Sequence, residues 1–174
     1  MKQKFLLFAF TLISTMLFSQ SVPTALQEWT TTDGTQTFYH RIVTKTDAFG
    51  NIYLAGATIN STDGSTDILI AKYNSAGYQL WIHQIAGTAP GTDFGAGLVV
   101  TDSYAYLTGA ICNNTVTLET DAITMKLAAS TGSVVWSATY TGVTGGYDAG
   151  KHVVLDGSGD VYITVGSYNS SFHA

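Results

Sequence analysis

Proline is almost missing from this chain, with two in 174 residues, and only 11% of the residues are charged. Cysteine occurs once, at Cys112, so no disulfide can form within the chain. No His or other base stands near Cys112 in the sequence, and it reads as a small hydrophobe in a packed strand rather than as a nucleophile. Basic residues are scarce as well. Beyond the first twenty residues, Arg41, Lys45, Lys72, Lys126 and Lys151 stand against twelve acidic residues, a net charge of −7. That balance argues against a nucleic-acid partner, because neutralising phosphates takes clustered Lys and Arg. Past the N-terminal segment there is no long run with a 3.6-residue apolar period, so helices are not expected.

The N-terminal segment is read as a secretory signal over residues 1–20. Lys2 and Lys4 are its positive end, residues 5–18 its apolar core, and small Ser19 a cleavage site. About 14 apolar residues fall short of the roughly 20 that span a bilayer as a helix, so no stable membrane span is expected after cleavage. The expected destination is the cell surface or the medium. The remaining 21–174 are rich in Gly, Thr, Ser, Val, Ile and Tyr, a composition suited to short strands joined by tight turns.

A repeat runs through this part. Asp47-Ala-Phe-Gly-Asn-Ile-Tyr-Leu-Ala-Gly56 returns as Asp102-Ser-Tyr-Ala-Tyr-Leu-Thr-Gly109 and as Asp156-Gly-Ser-Gly-Asp-Val-Tyr-Ile-Thr-Val-Gly166. Tyr53 and Tyr106 are 53 residues apart, Lys72 and Lys126 54, Trp81 and Trp136 55, and Asp93 and Asp148 55. Strand-like runs fall at 39–44, 51–58, 67–73 and 78–85, then at 97–101, 104–111, 121–127 and 133–140, then at 151–155 and 161–167. The breaks between them are Asn, Asp, Gly and Ser turns. Four strands in a unit of this size are the mark of a propeller blade. Within 67–73 both faces are apolar, as a sheet covered on both sides requires. Trp81 and Trp136 are expected to fill the wedge between sheets.

The predicted fold is therefore all-β: a partial β-propeller of four-stranded antiparallel blades, about two and a half of them, at 38–85, 94–140 and 149–168. A strand at 26–32 is expected to be the ring-closing outer strand, because Leu26-Gln-Glu-Trp29 matches Tyr78-Gln-Leu-Trp81. Two complete units and part of a third cannot close a ring of four to eight blades, so a longer protein is expected.

Asp47, Gly50, Asn51, Tyr53 and Gly56, followed by Asp67, Lys72, Gly77 and Trp81, form a pattern that resembles the SBBP family of bacterial β-propeller repeats. The likeness covers most of residues 26–168. It departs at Ser103 to Ala105, which replace the Gly-Asn turn, and in the third unit, where Val165 reads as an insertion before Gly166. The resemblance implies a secreted or cell-surface module, often part of a longer protein, and implies no catalytic residues.

Candidate chemistry is sparse. Asp156-Gly-Ser-Gly-Asp160 and Asp63-Gly-Ser-Thr-Asp67 resemble fragments of a calcium loop but lack its further oxygen ligands, so calcium at Asp156–Asp160 ranks behind a hydrogen-bonded turn. Asp67 with Lys72, and Asp121 with Lys126, sit at fixed strand positions and read as structural, paired with neighbouring sheets or loop backbone. His40, His83, His152 and His173 lack the spacing of a zinc site. The glycine clusters at 87–91 and 142–146 read as flexible crossings, and Phe94 with Asp93 and Tyr147 with Asp148 as a rim that could take sugars or peptides. Asn60, Asn113 and Asn169 head Asn-x-Ser/Thr triplets that mark surface loops. No catalytic, cofactor or metal residue is assigned. The leading expectation is a non-enzymatic binding scaffold for a protein or glycan of the cell envelope. The alternative is a fragment of a secreted propeller enzyme acting on polysaccharides, with Glu28, Glu119 and Asp160 as its few acids.

Overall fold

Ten strands follow one another: β1 (Phe38–Thr46), β2 (Ile52–Ile59), β3 (Thr66–Tyr73), β4 (Gln79–Ile85), β5 (Phe94–Val100), β6 (Tyr104–Cys112), β7 (Thr120–Ala128), β8 (Val134–Tyr140), β9 (Gly146–Leu155) and β10 (Val161–Asn169). They are seen in a computed structural model that describes residues 38–142 and 146–169. The proposed signal at 1–20 and the strand at 26–32 lie outside the described residues, as do Glu28 and His173. All described residues belong to one unit, Thr31–Ala174.

The strands form two four-stranded sheets, β1-β2-β3-β4 and β5-β6-β7-β8, and a two-stranded sheet, β9-β10. Every neighbouring pair within them is antiparallel and consecutive in sequence. The all-β reading with four-stranded antiparallel sheets is thus what the chain adopts, and among the described residues there is no helix.

The turns explain the meander. Asp47 Oδ1 accepts the N–H groups of Phe49 (3.0 Å) and Asn51 (2.9 Å), while Asp156 Oδ1 accepts those of Ser158 (2.8 Å) and Asp160 (2.9 Å). Asn74 Oδ1 does the same for Ala76 (3.0 Å) and Tyr78 (2.9 Å). In each case a short polar side chain replaces the hydrogen bonds that the reversing backbone would lose.

Sheets stack in chain order: β5 lies against β1, β2 and β3, and β9 against β5, β6 and β7. The face of the first sheet carrying Tyr53, Ala55, Ile68, Ile70 and Trp81 meets Leu98, Leu107, Ile123, Met125 and Leu127 of the second in one core. Fully burying a side chain such as Ile68 or Leu107 stabilises the fold by about 1.5–3 kcal/mol. Both faces of β3 are buried, and β6 is buried from Ala105 onward, in keeping with sheets covered on two sides. By contrast, β8 is exposed along its whole length.

Register corrects one reading. Val165 pairs with Gly150 as Gly109 pairs with Gly95, and Thr164 pairs with His152 as Thr108 pairs with Gly97. Val165 therefore takes the place of the repeat's glycine and is not an insertion. The irregularity belongs to the partner strand, where Ala96 and Lys151 are each passed over in the ladder as one-residue bulges. These bulges also explain why β5 and β9 begin at Phe94 and Gly146, ahead of the expected 97 and 151.

Gly150 shows how closely the stacked sheets approach. A Cβ there would lie 1.9 Å from Thr108 Oγ1 on β6. Only glycine lets β9 rest on that strand.

Candidate functional site

The recurring Lys and Trp meet at one backbone atom. Ala129, in the β7–β8 turn, offers its carbonyl oxygen to Lys72 Nζ at 3.0 Å and to Trp81 Nε1 at 3.2 Å. Two residues on, the Thr131 carbonyl accepts from His83 Nε2 at 2.9 Å. A carbonyl can only accept, so Nε2 carries the hydrogen there. Gly132 completes the contact: its φ is +74°, and a Cβ would fall 2.5 Å from the His83 ring and 2.7 Å from the Trp81 ring. A turn of the second sheet thus caps the outer half of the first.

Behind this contact Lys72 lies 3.6 Å from Asp47 Oδ2 and 4.9 Å from the centre of the Tyr53 ring. The Asp47 side chain is 1% exposed. Burial alone would raise its pKa, but hydrogen bonds from Asn51 and Phe49, with the Lys72 charge, hold it below the ordinary carboxylate range. Burial, then the Asp47 charge, pushes the Tyr53 phenol well above its usual value. This is a structural ion pair: the ammonium has a carbonyl and a carboxylate, and both serve the joint between sheets.

Asp67, expected to pair outward or with loop backbone, instead accepts side-chain bonds from Asn60 and Gln84 within its own sheet. Lys126 stands over the rings of Tyr104 and Tyr106, 3.7 and 5.4 Å from their centres.

The aromatic-acid rim does not form. Asp93 and Asp148 are each 1% exposed. Asp93 accepts the N–H of Gly87 and of Cys112, both at 2.6 Å, and Asp148 that of Gly142 at 2.6 Å. Burial pushes the Asp93 carboxyl above its ordinary range, against the pull of those two donors. The acids are therefore clamps on the crossings between sheets. Nor is the first crossing loose: Thr66 N–H donates to the Gly91 carbonyl (3.1 Å), Asp93 N–H to that of Thr66 (2.9 Å), and Ala89 N–H to that of Cys112 (3.2 Å). Cys112 is fully buried beneath this crossing, and burial raises its thiol pKa.

At the Asp156 turn, Oδ1 accepts the two backbone N–H groups and Oδ2 the Tyr162 hydroxyl at 3.2 Å. Those bonds, led by that from Asp160, hold its pKa low. The carboxylate is thus engaged by its own turn. Among the described residues no three His, Cys, Asp or Glu side chains gather where they could hold a metal. Glu119 accepts a local bond from Thr117 Oγ1 at 2.9 Å, and Asp160 is exposed in the turn between β9 and β10. No helix of the described residues is long and apolar enough to cross a membrane.

Among the described residues a groove of about 200 Å³ opens between the second and third sheets, lined by Ala122, Thr124, Trp136, Tyr140, Val161 and Ile163 among others. Trp136 is 36% exposed there, against 8% for Trp81. Sequence reasoning named Trp136 as a wedge filler but had no means of showing that its cover differs from that of Trp81. The chain matches no protein-family model, and no curated protein is similar to it.

Proposed function

We propose that this chain is an exported, non-enzymatic β-propeller module of the SBBP type, acting as a scaffold or binding domain for a protein or glycan of the cell envelope and forming part of a longer protein. One observation carries the reading: in the first unit of the repeat the Asp, Lys and Trp side chains hold turn and sheets together, Lys72 and Trp81 at the Ala129 carbonyl and Asp47 beside Lys72. The stacking of consecutive four-stranded sheets supports blades around an axis. The N-terminal Lys2, Lys4 and the apolar 5–18 support export.

Two measurements test it. A reporter active only outside the cytoplasm, fused after residue 21, is expected to gain activity. The purified full chain is expected to be retained on isolated envelope glycans or envelope proteins without consuming them. A reporter left inside, or polysaccharide turnover that disappears in Glu119→Gln, would overturn the proposal.

A further inference from the structure

Two loops on the same end of the first two sheets share one scaffold and differ at their tips. Between β2 and β3, the Asn60 carbonyl accepts the N–H of Gly64 at 2.8 Å, and Asn60 Oδ1 that of Thr62 at 3.0 Å. Between β6 and β7, the Asn114 carbonyl accepts the N–H of Leu118 at 3.0 Å, and Asn114 Oδ1 those of Val116 at 2.9 Å and Thr117 at 3.1 Å. Leu118 thus takes the place of Gly64, and both are left-handed, with φ of +55° and +76°. Among the described residues no other non-glycine has a positive φ. A Cβ disfavours that conformation, which glycine adopts without strain. Burial does not offset the strain: Leu118 is 43% exposed, and Val116, in the place of Thr62, is 88% exposed.

A neighbouring sheet is not what covers this tip. The first loop has the four strands of the second sheet in place beside it, and residues 61–64 are exposed all the same. The tips lie beyond the stack, so a sheet added beside the second leaves 115–118 in the open as well. Charge narrows the choice of partner: Asp63 is exposed and Glu119 part-exposed on this end, whereas Lys45, Lys72 and Lys126 lie toward the far ends of their strands. An anionic lipid surface is a poor match for that arrangement. We infer that Val116 and Leu118 form a fixed apolar tip that inserts into a hydrophobic pocket, rimmed by basic side chains, on a partner protein. Strain held at an exposed residue is explained by a contact made outside the fold. The hydrogen bonds of Asn114, with that from Thr88 N–H to Asn113 Oδ1 at 3.2 Å, set the backbone before binding, so little ordering is left for the encounter. The inference gives the surface and the partner chemistry of the binding role proposed above and rests on that role, not on export or ring closure.

Three probes are titrated with the full chain: immobilised, detergent-solubilised envelope proteins, isolated envelope glycans, and vesicles of neutral and anionic phospholipid. Saturable retention on the proteins is expected, weakened about tenfold or more by Val116→Ser or Leu118→Gly and reduced by added salt. Thr62→Ser, at the matching place of the first loop, is expected to leave it unchanged. Leu118→Gly carries a second readout. Its melting temperature is expected to hold or to rise by up to about 4 °C, because glycine relieves the left-handed strain and no buried side chain is lost. A Leu118→Gly chain that melts clearly lower overturns the inference, since the side chain would then serve the fold. Retention on the proteins that is indifferent to both tip variants, or retention on glycans alone, overturns it and leaves the binding role standing. Vesicle binding that the same variants abolish replaces the protein pocket with a lipid surface and overturns it too. Absence of retention on every probe overturns both the inference and the binding role.

Discussion

The indole of Trp81, on the outer strand of the first sheet, donates to the carbonyl of Ala129 in a turn of the second, at 3.2 Å. Trp136 is its repeat equivalent and lacks that cover. The two tryptophans therefore differ in energetic weight although they hold equivalent places in the repeat. Trp81→Ala should destabilise the fold by about 3–5 kcal/mol, the usual cost of truncating a buried aromatic. Trp136→Ala should cost about 1 kcal/mol, the centre of the range for point substitutions. Urea denaturation of the two variants checks the contrast, and equal losses would contradict it.

Lys72 and Lys126 make a second such pair. Lys72→Met leaves the enclosed Asp47 carboxylate without its cation and the Ala129 carbonyl without one of its donors. A loss of about 3 kcal/mol is expected, as when one member of a buried ion pair is removed. Lys126→Met removes contacts with the Tyr104 and Tyr106 rings, worth about 0.5–1 kcal/mol. A double-mutant cycle of Lys72→Met with Asp47→Asn should show coupling, because the doubly substituted chain no longer holds an uncompensated charge.

These contrasts mark what the sequence could and could not disclose. Among the described residues, strand number, order and pairing were legible, because turn residues and apolar alternation are local properties and each was written at least twice. Trp81 and Lys72 were legible as joint residues for the same reason. The atom that receives them was not, since a backbone carbonyl at Ala129 leaves no mark in residue type. Asp93 and Asp148 misled because an acid beside an aromatic in a glycine-rich stretch has the same appearance whether it faces water or clamps buried N–H groups. Val165 misled because alignment on Gly166 hid a substitution that only the pairing with Gly150 reveals.

Close approach at Gly150 is open to the same kind of test. An added methyl would meet Thr108 Oγ1 at 1.9 Å, so Gly150→Ala must push β9 off the second sheet or turn the Thr108 side chain away from the Ile123 carbonyl it donates to at 2.9 Å. A loss of about 1–3 kcal/mol is expected for such overpacking. Gly157 is the control: nothing lies within 4 Å of a Cβ there, and Gly157→Ala should change stability by less than about 0.5 kcal/mol. Thermal melts of both variants suffice, and a neutral Gly150→Ala would mean that the sheets are not in contact at this point.

Acid titration should expose two carboxylates that pull in opposite directions. Asp47 has its folded pKa below the ordinary value, so over that interval the unfolded chain binds more protons. Its contribution is therefore complete above the ordinary carboxylate range and is lost as pH falls through the folded value. Asp93 has its folded pKa raised, so the folded chain holds the proton longer. What it contributes is complete below the ordinary range and declines as pH rises through the raised value, as a charge forms in a site closed to water. Unfolding free energies measured by urea across the acid range should then separate the two. Asp47→Asn flattens the fall on the acid side, with the remaining slope coming from turn carboxylates such as Asp63 and Asp156, whose pKa values are also held low. Asp93→Asn leaves the acid side in place and removes the decline above it, while lowering stability throughout, because an amide cannot accept from Gly87 and Cys112 with both of its terminal atoms. If Asp93→Asn alters only the acid side, the carboxylate is not enclosed as its two N–H bonds require.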